Sequence, residues 1–144
     1  MMKTRVIRGL AALAALTAVA CSRGGSAGGA PTPSGASAMA MPADVTPSNI
    51  ALGDSLFNNG GCMRCHGAKG IGAANGPALN DAQWVQLKTG AYDEIVALIT
   101  SGVPAANIKD PSRKNPMGAR GGRMALTDPQ IKAVAAYVYS ISRK

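Results

Sequence analysis

The chain has 144 residues, 47% of them hydrophobic, but only one Phe, one Trp and three Tyr, and its formal net charge is +8. That length fits one domain of modest size. The basic excess comes without a basic block or interleaved aromatics, which excludes a nucleic-acid surface, and none of the seven acidic residues forms a recognisable catalytic pair.

The chain opens with Lys3, Arg5 and Arg8, followed by an apolar run from Leu10 to Ala20. The run is too short to span a bilayer but suits a signal-peptide core, so residues 1–20 are expected to be a leader and the protein to be exported. The junction Leu16-Thr17-Ala18-Val19-Ala20-Cys21 reads in two ways. Ala18 and Ala20 make an ordinary cleavage site. A cysteine straight after the cut resembles a bacterial lipobox, and lipidation of Cys21 gives a role to a thiol otherwise unpaired in an oxidising compartment. The favoured expectation is a lipid-anchored protein on the periplasmic side of a bacterial membrane. From Cys21 onward there are twelve basic and seven acidic residues, a net charge of +5.

Residues 21–46 are rich in Gly, Ser, Ala and Pro and lack the apolar side chains needed for a core. They read as a tether with a reach on the order of 25 to 30 Å.

Residues 47–144 are expected to form an all-α domain. A first helix is predicted from about Ser48 to Asn58, capped by Ser48 or Asn49, with Ile50, Gly53 and Phe57 sharing a face. Gly60 and Gly61 then loosen the backbone.

Next comes Cys62-Met63-Arg64-Cys65-His66, and C-x-x-C-H is the spacing that attaches a c-type haem. Two thiols three positions apart each reach one vinyl group of the porphyrin, and the adjacent imidazole becomes the proximal iron ligand. A zinc site requires four ligands, whereas His66 is the one histidine and the third cysteine, Cys21, lies far upstream. A dithiol redox pair belongs beside a βαβ pattern that the flanking sequence does not show. The expected cofactor is therefore one covalent haem c, with no zinc.

Ala68 to Asn80 reads as a Gly-rich loop, and Asp81 as the cap of a short helix carrying Trp84, Val85 and Leu87. Trp84 suits the core better than a propionate contact. Tyr92, Ile95, Leu98 and Ile99 repeat at helical spacing until Gly102-Val103-Pro104. About Val103 to Leu126 lacks periodicity, a length that points to a functional loop. Thr127 and Gln130 then make a capping box, Pro129 fits the first turn, and Ile131, Val134, Ala135, Val138 and Ile141 form an apolar stripe. Arg143 and Lys144 suit the dipole at the end of that helix. So few large side chains imply that porphyrin supplies missing core surface, and that the chain without haem is loosely packed.

From Pro47 to Lys144 the sequence resembles the class I c-type cytochromes, the small monohaem electron carriers and similar domains attached to terminal oxidases. The resemblance implies three to five short helices wrapped around one covalent haem. Gly53 and Phe57 match the family's first-helix pair, and Val134 with Tyr137 the facing pair on the last helix, where the glycine permits a close crossing. Gly76-Pro77-Ala78-Leu79 is similar to the family's G-P-x-L loop, which gives Pro77 the carbonyl that accepts from the His66 ring and Leu79 a place on the haem face. Met117-Gly118-Ala119-Arg120-Gly121-Gly122 is similar to the methionine loop and makes Met117 the distal iron ligand. Gly118 stands where the family usually has proline, so Met124 is the alternative. Met63 is expected to be exposed or packing, and Met39 and Met41 to lie in the tether.

With His66 and a methionine on the iron, the resemblance implies a six-coordinate electron carrier and not an enzyme. It would shuttle electrons between membrane respiratory or photosynthetic complexes outside the cytoplasm. Its partners would be acidic redox proteins: a membrane dehydrogenase, a cytochrome complex, an oxidase or a reaction centre. Arg64, Lys69, Arg113, Lys114, Arg120 and Arg123 would border the crevice and steer them. If neither methionine binds, the open iron position of a peroxidase-like or gas-binding haem protein is the other reading.

Overall fold

The structure is a computed structural model that describes residues 40–144. The expected leader, Cys21, Met39 and most of the expected tether lie outside the described residues. Within them are four α-helices: α1 (Pro47–Asn59), α2 (Cys62–His66), α3 (Tyr92–Ser101) and α4 (Asp128–Ile141). β-pairing among the described residues is confined to two isolated bridges, Ala73 with Gly76 and Val103 with Met117. This is the expected all-α architecture.

Thr46, not Ser48 or Asn49, caps α1: its hydroxyl accepts from the Asn49 amide at 3.2 Å, and Pro47 takes the first turn. A proline at the first helical position fixes its predecessor as the cap, because the missing N–H is one that would lack a helical partner anyway. The Asn49 side chain instead donates to the Asp44 carbonyl at 2.8 Å. Val45 is buried in the core and Asp44 pairs with Lys132 at 3.1 Å. Ordered packing therefore begins before Pro47, within the segment that composition assigns to the tether.

The core sits between α1, α3 and α4. At the α1/α4 crossing a Cβ on Gly53 would strike the Ala133 carbonyl oxygen and come within 2.8 Å of the Tyr137 Cβ, so only glycine lets these backbones approach so closely. Phe57, 1% exposed, packs on Tyr137 with ring centroids 5.3 Å apart. Helix α4 departs from the simple amphipathic stripe: every residue from Ala133 to Tyr139 is buried. Three alanines, at 133, 135 and 136, keep its girth small enough for neighbours on several sides. Its start is as expected, with the Gln130 side chain accepting from the Thr127 amide at 2.9 Å. At its end Arg143 lies 3.6 Å above the Tyr139 ring and donates to the Gly90 carbonyl at 3.0 Å.

Helix α3 ends at Gly102, which takes φ 69° and donates to the Leu98 carbonyl. Tyr92 meets Tyr139 edge to face at 6.2 Å. The helix expected after Asp81 does not form. Asp81 accepts from the Gln83 amide, two residues on, at 2.9 Å, which closes a turn and starts no helix. The short run that follows is held by side chains: Gln86 accepts from the Lys109 amide and donates to the Asn107 carbonyl. The Glu94 carboxylate accepts from the amides of Thr89 and Gly90, both at 3.0 Å, and these bonds hold its pKa below the usual carboxylate value. No helix among the described residues is long and apolar enough to cross a membrane.

Candidate functional site

A cavity of about 240 Å³ opens between α2, α3, α4 and the 103–126 segment, and Cys62, Cys65, His66 and Met117 all line it. Helix α2 places the two thiols: residues three apart stand on one face of a helical turn. Cys62 and Cys65 are both free thiols. Burial raises the Cys62 pKa, its own backbone amide opposes that, and Cys65 adds a smaller push upward.

The next residue, His66, has its Nδ1 2.9 Å from the Pro77 carbonyl oxygen. With Nδ1 donating to that carbonyl, the lone pair is left on Nε2. Burial is the main cause of the lowered His66 pKa; the Pro77 carbonyl opposes it and the positive charge of Arg113 adds to it. A neutral ring with one nitrogen committed is the form that ligates a metal.

The loop behind Pro77 is pinned from both sides. Leu79, which also lines the cavity, donates its amide to the Gly70 carbonyl at 2.7 Å. Arg113 donates to the carbonyls of Ala73 and Ala74, and Asn115 to the Asn75 side chain at 2.7 Å. Arg113 and Asn115 stand just before Met117, so the strand of chain that brings Met117 is fastened to the one that brings Pro77. Met117 is itself held by paired backbone bonds with Val103, 2.8 and 3.0 Å long.

Met124 does not line this cavity; its sulfur accepts from the Gly61 amide at 3.0 Å. Met63 and Met41 are exposed. Trp84 lines the cavity and packs partly buried against the core. Of the six cations expected at the rim, Arg113 alone lines the cavity; Arg120 is turned instead to the Leu126 carbonyl and Asp128.

These residues fit a haem. Two thiols on one helical face, an imidazole with its Nε2 unengaged and a thioether share a cavity walled by apolar side chains such as Phe57, Leu98, Ile99 and Val138. A sequence model of the family described as Cytochrome c matches residues 50–142. The chain belongs to the cytochrome c family. Cytochromes c bind haem c covalently, and here the Cys62/Cys65 pair stands in the C-x-x-C-H region.

Among curated proteins, this cytochrome c is similar to the Cbb3-type cytochrome c oxidase subunit FixP of Bradyrhizobium diazoefficiens, 36% identical over 92 residues. The subunit of the same description from Bradyrhizobium sp. (strain ORS 278) is 35% identical over 92 residues. Each match covers 64% of this chain but 30% of the relative, so the chain matches less than a third of the length of these curated proteins. No solved structure matches the chain.

Two features of the site are absent from a motif reading. Gly60 and Gly61 are not simply looseners, since neither has a positive φ. Gly60 makes room instead, because a Cβ there would strike the Leu56 carbonyl and the Met124 side chain. Arg113 and Asn115 act as a fastener across the loops; the only sequence signal for this was the charge of Arg113.

Proposed function

We propose that the domain is an electron carrier whose haem is attached through Cys62 and Cys65 and ligated by His66 and Met117. The observation that carries this reading is that His66, its Nδ1 held by the Pro77 carbonyl, and Met117 line one cavity. Pro77 orients the imidazole, Leu79 and the apolar walls exclude water, and the Val103 pairing holds the chain on either side of Met117. When bound, the haem supplies a one-electron iron couple, with thioether ligation favouring the reduced state. With His66 and Met117 both holding the iron, no position would be open to substrate, and the domain would be a carrier and not a catalyst. Likeness to an oxidase subunit supports service in, or delivery to, a membrane oxidase complex outside the cytoplasm. The basic region and apolar run at residues 3–20, and Cys21 after them, support export and lipid anchoring there.

The test is the absorption spectrum of protein matured with a c-type haem assembly system. Haem that survives denaturation, is low-spin, and shows a weak far-red sulfur band that Met117→Ala abolishes is the expected result. High-spin covalent haem would mean an open iron position and overturn the carrier reading; protein without attached haem would overturn the attachment.

A further inference from the structure

Helix α2, which presents both thiols and the imidazole, is five residues long and has no side-chain cap at Gly61. A helix this short has little intrinsic stability, and its leading amides need partners from elsewhere. The Gly61 amide finds one 63 residues away, in the Met124 sulfur at 3.0 Å. A Cβ on Gly60 would collide with that same side chain, so the glycine just before α2 is what admits it.

The loop that delivers Met124 is committed to the arrangement. Arg120, Gly121, Gly122 and Ala125 all take positive φ, which disfavours Arg and Ala. Bonds to Leu126 hold the turn: its amide donates to the Arg120 carbonyl at 2.9 Å, and its carbonyl accepts from the Arg120 guanidinium at 2.7 Å. The segment from Met117 to Met124 thus touches the site twice, with Met117 in the cavity and Met124 at the start of α2.

We propose that Met124 is a positioning residue: its thioether ties the loop that presents Met117 to the helix that presents Cys62, Cys65 and His66. This rests on the proposed ligation by Met117. Met124 neither touches the cavity nor ligates iron; it fixes the distance between the two halves of the coordination set.

The test compares Met124→Leu, which keeps volume but has no acceptor, with Met124→Gln, which offers an oxygen at similar reach. Hydrogen exchange of the Gly61 amide and imidazole affinity of the ferric haem are read in both. In Met124→Leu the sulfur band persists, Gly61 exchanges faster, and imidazole binds roughly two- to tenfold more tightly, the range of one modest hydrogen bond. Met124→Gln returns both readouts toward the parent. Unchanged exchange and imidazole affinity in Met124→Leu would overturn the positioning role while leaving ligation by Met117 standing. Loss of the sulfur band in Met124→Leu together with its survival in Met117→Ala would instead make Met124 the ligand and overturn both readings. Should Met124→Leu fail to fold, Met124→Gln alone decides: a Gly61 amide resonance moved by the change of acceptor supports the tie, and an unmoved resonance overturns it.

Discussion

The α1/α4 crossing and the 103–126 segment face each other across one domain and are held by different forces. The crossing is apolar and close-packed, with Gly53 against Ala133 and Phe57 against Tyr137. The segment has few buried side chains, Val103 and Leu126 among them, and is held by scattered polar bonds: Arg113 to Ala73 and Ala74, Asn115 to Asn75, Arg120 to Leu126. Packing fixes the frame, and hydrogen bonds fix the part that must meet a cofactor. The cavity between them has apolar walls, so the frame is completed only when those walls are covered.

That contrast breaks most sharply when the cofactor is withheld. The double variant Cys62→Ala/Cys65→Ala, produced without haem, is expected to lose a single cooperative thermal transition, because the cavity walls remain wetted. Retention of the parent transition would show that the crossing suffices alone. Within the frame, Gly53→Val is expected to cost about 3 kcal/mol or more, since two backbones must part to admit the side chain. A shift in the denaturant midpoint of the haem-loaded protein measures it.

On the loop side the expected losses are smaller. Arg120→Ala removes the bond to the Leu126 carbonyl while keeping a positive φ, a change expected to cost about 1 kcal/mol. Its ion pair with Asp128 is partly exposed and adds little. If denaturation shows no change, the turn is held by its backbone bond alone.

A last effect appears only at alkaline pH. Burial, and next the negative charge of Asp44, push the Tyr92 pKa up to about 12. A phenol raised in the folded state contributes stability fully present below its unfolded value of about 10 and lost as pH rises toward 12. The difference in stability between the parent and Tyr92→Phe should therefore shift in favour of the variant between those values. A pH-independent difference would place the cost of ionisation elsewhere.

Legibility in the sequence followed the same division. Helices α3 and α4 were readable because several apolar residues at helical spacing and a strong stop or cap agree. The C-x-x-C-H segment was readable because its chemistry is local, whereas the pairing of Pro77 with His66 came only with the resemblance to the class I cytochromes. The segment after Asp81 was misread because an aspartate before apolar residues signals a helix cap and a side-chain turn alike, and only the bonds from Gln86 to a distant loop decide between them. For α1, Pro47 in the first turn marks Thr46 as the cap, a signal that outweighs the capping preference of Ser48 and Asn49. Nothing local signals the Val103/Met117 pairing or the Gly61 contact with Met124, because each joins residues far apart in the chain.

The crossing also sets the order in which the chain can be assembled. Asn58 on α1 donates to the Tyr137 hydroxyl on α4, 79 positions later, and every residue proposed to hold or position the haem lies between those two helices in sequence. Closing so long a loop carries an entropic cost that is recovered only once both ends have docked. A nascent chain that has exposed its two cysteines and histidine still lacks the partner for its first helix until α4 emerges. The attachment motif is therefore accessible in an open chain well before the domain can shut around it.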